Sequence, residues 1–242
     1  MRRHSKRYLR RYKKGFFERI SLTNLLIYLN VIVFLLVLLL IVILSVNLTS
    51  VDAFGGSFLQ YLALNPQLFV QGYIWTLITS MFMHGSFTHL FVNMVSMFFI
   101  GNLVEKIIGR KRFLWFYLIS GIAAGLFFVG LAYLGLYVPG GERLFGSIDA
   151  FAVGASGALF GIGGLLAVLL PKLRVLVFFI IPMPLWAGMV FLMFGLWIVS
   201  ALGNWPIGNT AHFGGLVVGV IYGFYLRNKY SRKVKLLNRM FR

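Results

Sequence analysis

Between residues 20 and 226 the chain carries only seven Lys or Arg and four Asp or Glu, and the uncharged runs between them are long enough to cross a membrane. A helix through about 30 Å of hydrocarbon needs about 20 mainly apolar residues. Dividing the runs by that length predicts spans near 22–46, 87–105, 113–137, 151–170, 175–202 and 210–226. The first is too long for a signal-peptide core and lacks a small-residue cleavage pattern after it, so it reads as a retained helix. The run 53–104 could hold two spans, but Gly55-Gly56, Asn65-Pro66 and Gly72 interrupt its first half with turn signals.

The positive charges choose between these counts. Nine Lys and Arg lie in residues 1–19 and seven in 227–242, within a chain that is 60% apolar, 12% charged and carries a formal charge of +18. Concentration at the two ends excludes a soluble basic domain and a nucleic-acid binder; it predicts an all-α membrane protein with basic tails at 1–19 and 227–242. With six spans and both termini in the cytoplasm, 22 of the 23 positive charges fall on the cytoplasmic side and only Arg143 faces outward. A seventh span at 60–83 would move the groups around Arg110, Lys172 and the C-terminus outside, against the known bias of Lys and Arg. Residues 52–83 are therefore expected to form a long outer loop on the six-helix unit 20–226, with Tyr61, Tyr73 and Trp75 at headgroup level. The tails are expected to set topology and touch anionic lipid. There is no cysteine, which excludes disulfides, thiolate catalysis and cysteine-bound metal. No metal or cofactor is expected.

Polar side chains inside lipid are costly and carry a functional hypothesis by default. In the six-span topology the second, fourth and sixth spans begin on the outer side, and their starts hold His84, His89 and Asn93, then Ser156, then His212. His89 and Asn93 are four apart, one above the other on one helix face. Ser156 stands in Gly154-Ala155-Ser156-Gly157, followed by Gly161 and Gly164. His212 is followed by Gly215, Gly219 and Gly223. Such small-residue faces let helix backbones approach closely. If the two faces meet, Ser156 and His212 reach one depth, as a nucleophile and its base require. A serine bonded back to its own helix and glycines used only for packing also fit this pattern.

These residues resemble the rhomboid intramembrane serine proteases across most of the chain. His84-Gly-Ser-Phe-Thr-His89-Leu-Phe-Val-Asn93, Gly101-Asn-Leu-Val-Glu105-Lys-Ile-Ile-Gly109, Gly154-Ala-Ser156-Gly157 and Ala211-His212-Phe-Gly-Gly215 are similar to four family motifs, in order. The resemblance implies a six-helix rhomboid-like bundle and a Ser156–His212 dyad, with His89, Asn93 and the Ser156 amide holding the oxyanion and His84, Gly154, Gly157 and Phe160 in support. Two positions depart from the family pattern: Trp75-Thr76 stands where many members have Trp-Arg, and Phe160 where many have a Tyr stacked on the histidine. Glu105 lies sixteen residues beyond His89, about 24 Å along a helix, too far to orient a histidine, so it is expected to be structural.

The implied activity is serine endopeptidase cleavage of transmembrane protein substrates near the outer leaflet, in a cell membrane of prokaryotic type. A substrate helix must partly unwind before a serine can reach its carbonyls, which favours segments weakened by Gly, Pro or polar residues. The turn 203–209, the outer part of the fifth span and the loop 52–83 are candidates to open the site; for the fifth span this is implied by the family alone. Two rivals are a non-proteolytic rhomboid-like chaperone, which usually lacks the Ser or His, and a proton or cation transporter. The transporter requires polar residues continuing inward, where the fourth and sixth spans are glycine and apolar.

Overall fold

The computed structural model describes residues 20–43, 58–177, 180–203 and 208–240. The N-terminal tail 1–19, residues 44–57 of the first span's end and outer loop, and 204–207 of the candidate lid turn lie outside the described residues. The chain runs α1 (Leu22–Ile43), short helices α2 (Pro66–Val70) and α3 (Thr76–Thr79), α4 (Phe87–Ile108), α5 (Arg110–Gly135), a short α6 (Gly141–Phe145) and α7 (Ser156–Leu169). A hairpin of β1 (Arg174–Val177) and β2 (Ile181–Pro184) follows, then α8 (Leu185–Gly203), α9 (Asn209–Lys229) and α10 (Ser231–Met240). The architecture is helical, as expected. Among the described residues α1, α4 and α5 are long and apolar enough to cross a membrane, and the apolar α7 and α8 are shorter.

The expected boundaries shift in two places, for identifiable reasons. The fourth span was expected from 151, but α7 begins at Ser156 and has 14 residues, about 21 Å of helix. The residues before it are extended because Ala152 bridges to Leu64, with backbone bonds of 3.0 and 2.7 Å. The fifth span was expected from 175, but 174–177 pairs antiparallel with 181–184, Arg174 opposite Pro184 and Val177 opposite Ile181. Pro182 and Pro184 cannot sit in a helix interior, and they push α8 to start at Leu185. The described part of the outer loop, 58–83, forms only short helical turns.

α7 is the central helix: residues 157–166 are all buried. Gly157, Gly161 and Gly164 face α9 and α5, and Gly163 faces Met189 of α8. A Cβ on Gly215 would overlap the Gly157 carbonyl, one on Gly219 the Gly161 carbonyl, and one on Gly164 would lie 2.8 Å from the Leu216 carbonyl. A Cβ on Gly157 would meet Ala124 of α5 at 2.6 Å. Backbone-to-backbone contact of this kind substitutes dispersion for the hydrophobic drive that lipid removes. The outward faces of α1, α4, α5 and α8 carry exposed Leu36, Phe99, Ile119 and Phe194, as lipid-facing surfaces should.

Glu105 has the structural role expected of it, in a specific form. One carboxylate oxygen accepts from the Leu22 amide at 2.8 Å, and the other from the Thr23 amide at 2.8 Å and the Thr23 hydroxyl at 2.7 Å. An anion thus sits on the unsatisfied amides and positive end of the α1 dipole. Asn102, accepting from the Ser21 hydroxyl at 2.9 Å, makes a second staple at this end. Glu105→Ala strands the fully buried Thr23 donors and should cost about 3 kcal/mol, from hydrogen bonds to a charged group. Thermal melting in detergent measures this; a loss below about 0.5 kcal/mol would remove the capping role.

Candidate active site

The starts of α4, α7 and α9 lie together at one end of the bundle, because the α7–α9 glycine contact sets the two helices in register. Ser156 is the first residue of α7 and His212 lies in the first turn of α9. Their side chains meet, with Ser156 Oγ 2.8 Å from His212 Nε2. His212 is 8% exposed, and the Phe160 ring stacks on its imidazole at 4.4 Å between centroids and 15° between planes. Phe160 falls there because it is one turn beyond Ser156. The opposite ring nitrogen, His212 Nδ1, is buried with no hydrogen-bond partner among the described residues. Among the described residues no carboxylate orients this histidine: Asp149 accepts instead from Gln67, and Glu142 lies in the short α6.

Gly154 shapes the approach to Ser156. Its φ of +116° is a left-handed conformation that an L side chain adopts only with strain, and a Cβ there would lie 2.8 Å from His89 Nε2. The His89 ring therefore packs against a bare Cα, two residues before the serine. The Gly154 amide is fixed by the Ser80 carbonyl at 2.8 Å, which ties the loop before α7 to the outer loop. His84 sits edge-on to His89, 5.1 Å between ring centroids, and is itself buried. Ser86 caps α4, accepting from the His89 amide at 3.2 Å.

Asn93 is placed differently from the expectation that it and His89 aim two donors at one point. Its Nδ2 donates to the His89 carbonyl one turn back at 2.8 Å, and its Oδ1 is buried with no partner among the described residues. The Asn93 amide group is thus engaged by its own helix. Ser156, His212, His89, Gly154, Gly157 and Phe160 converge directly, while His84 joins through His89. Two participants were missed from the sequence: the Ser80 carbonyl and the Leu64 strand partner. Both act through backbone atoms, which leave no residue-type signal.

A cavity of about 250 Å³ opens near the start of α9, lined by Phe128, Glu142, Ser147, Ser200, Asn209 and Thr210 among others. Asn209 is buried and its Oδ1 has no partner among the described residues. Polar lining and such an orphaned acceptor make this a place where water fits.

Ser156 thus meets a stacked, buried His212 at paired helix N-termini in an apolar bundle. A family profile described as the rhomboid domain matches residues 71–229, and the chain belongs to the rhomboid family. It is 35% identical over 153 residues to Rhomboid protein 1, mitochondrial, of Saccharomyces cerevisiae, covering 62% of this chain and 41% of that protein. It is 34% identical over 166 residues to RHOMBOID-like protein 5 of Arabidopsis thaliana, covering 68% and 48%. To Rhomboid protease AarA of Providencia stuartii it is 30% identical over 165 residues, covering 64% and 57%. The chain thus spans about half the length of these relatives. Family membership and the apolar helices make it a membrane protein.

Proposed function

We propose that this rhomboid is an intramembrane serine endopeptidase that cleaves transmembrane segments near the outer leaflet through a Ser156–His212 dyad. The carrying observation is the 2.8 Å contact between Ser156 Oγ and His212 Nε2 under the Phe160 ring. In this reading His212 Nε2 takes the Ser156 proton as Oγ attacks the scissile carbonyl, and returns it to the leaving amine. Phe160 holds the imidazole plane in place of an acid. The developing oxyanion meets the Ser156 amide at the positive end of α7, with His89 beside it. Asn93 adds a donor after its amide turns away from the His89 carbonyl. Water for the second half-reaction enters through the cavity beside Asn209. The name of the Providencia relative, a rhomboid protease, supports the reaction class.

A fluorophosphonate probe tests the dyad directly. It should label Ser156 in the wild-type protein and leave His212→Ala unlabelled; equal labelling of both would sink the assignment.

The six-span arrangement with cytoplasmic termini belongs to the same proposal, as do a catalytic unit over 20–226 with basic tails at 1–19 and 227–242, and a prokaryotic plasma membrane. Charge asymmetry supports the orientation: Arg110, Lys111, Arg112, Lys172 and Arg174 lie at the helix ends away from Ser156. Cysteines replacing Tyr137 and Lys172, both exposed, should react with a membrane-impermeant maleimide from opposite sides of sealed vesicles. Labelling from one side only would overturn this topology.

A further inference from the structure

At the end of the bundle away from Ser156, three cations gather on one aromatic ring. The Arg112 guanidinium lies 6.0 Å, Lys229 Nζ 5.9 Å and Lys233 Nζ 5.8 Å from the centroid of Tyr230. They come from three elements: the first turn of α5, the last turn of α9 and the start of α10. Lys233 is held in place because α10 is docked. Val234, Leu237 and Tyr230 pack against the main core, and Asn238 Nδ2 donates to the Leu169 carbonyl at the end of α7 at 2.6 Å. Lys229 is steadied by donating to the Tyr225 hydroxyl at 2.7 Å.

No carboxylate among the described residues answers these charges. Glu105 is committed to the start of α1, and Glu142 and Asp149 lie at the opposite end of the bundle. The ring contact offsets only part of the mutual repulsion of three like charges. A fixed trio of unpaired cations calls for an anion with several oxygens. The neighbouring surface says which kind. One turn inward from Arg112 stands Trp115, 65% exposed, and one turn inward from Lys229 stands Tyr225, with Phe224 beside it, 50% and 49% exposed. Basic heads directly above exposed aromatic and apolar surface match a molecule with a phosphate at one end and acyl chains at the other.

The geometry points to a discrete binding site for the phosphate headgroup of an anionic phospholipid, made by Arg112, Lys229 and Lys233 around Tyr230. This is independent of the protease reading: the site lies at the opposite end of α9 from His212. It differs from diffuse attraction of a basic tail in requiring these three positions and not merely their charge. Bound lipid would clamp α10 to the starts of α5 and the end of α9.

The test uses the full chain purified in neutral detergent and titrated with phosphatidylglycerol, with bound lipid counted by native mass spectrometry. Each of Arg112→Gln, Lys229→Gln and Lys233→Gln should weaken binding about fivefold, and the triple variant about a hundredfold. A charge-matched control, Lys106→Gln with Lys172→Gln and Arg174→Gln, should bind as wild type does. Equal loss in the control means diffuse electrostatics and overturns the site, as does an unaffected triple variant. If inorganic phosphate displaces the lipid at comparable concentration, the site takes a soluble phosphate and the lipid assignment falls. Should the triple variant fail to fold, the single substitutions, compared at matched melting temperature, decide.

Discussion

Protein carrying Ser156→Ala should release no product from a fluorescent single-span substrate in proteoliposomes, a fall of at least about a thousandfold from wild type. The argument rests on a division of labour within a two-residue unit. Ser156 Oγ lies 2.8 Å from His212 Nε2, so its loss removes the nucleophile and leaves the base without a task. His212→Ala should fall as far, since an unactivated hydroxyl in an apolar surround is a weak nucleophile. The double variant should be no worse than either single one, because groups that act as a unit lose their effect together. Folding does not confuse the result: removing one hydroxyl from Ser156 leaves the α7 glycine contacts in place. Undiminished cleavage by Ser156→Ala would end the protease proposal, and a wild type that cleaves nothing across a varied panel would favour the chaperone reading.

Gly215→Ala should be the most damaging single methyl in the protein. Its Cβ would overlap the Gly157 carbonyl, which is backbone and cannot rotate aside, so α7 and α9 must separate. Overpacking a close-packed core costs about 3 kcal/mol at the upper end of its usual range. Ser156 and His212 ride on those same two helices, one turn or less from the contact. A shift of about 1 Å at a reacting pair can cost about a hundredfold in rate, so activity should fall further than melting temperature alone would suggest. Gly195→Ala is the matched control, since a Cβ there meets nothing within 4 Å. It should leave activity unchanged and gain up to about 1 kcal/mol from helix propensity. If Gly215→Ala melts and cleaves like Gly195→Ala, the glycine contact does not position the dyad.

Much of this site can be read along the chain, and the reason is periodicity. Gly215, Gly219 and Gly223 recur every four residues, as do His89 and Asn93 once, and a helix turns such spacing into a face. The glycine runs after Ser156 and His212 therefore foretold which faces would meet, and the two polar residues at their starts followed. Phe160 on His212 was legible for the same reason, being one turn from Ser156. What periodicity does not carry is the choice among partners of one residue. Asn93 could offer its amide to a substrate or to its own helix, and here it donates to the His89 carbonyl. Glu105 could cap, pair with a cation or stay solvated; the folded chain sets it on the start of α1, more than eighty residues earlier. The hairpin 174–184 had a signal in Pro182 and Pro184 that apolar length overrode.

By itself the sequence determined the helical membrane class, the basic ends, and the polar residues that share the end of the bundle, because charge, apolar length and helical spacing are local and survive in any packing. Only the tertiary structure decided the start of α7 at Ser156, the left-handed turn at Gly154 and the seat of Glu105. Each of these depends on a backbone group far away in the chain, the Leu64 strand partner, the Ser80 carbonyl and the amides of α1. Backbone donors and acceptors are the same at every position, so which of them a loop finds is settled only when the helices have packed.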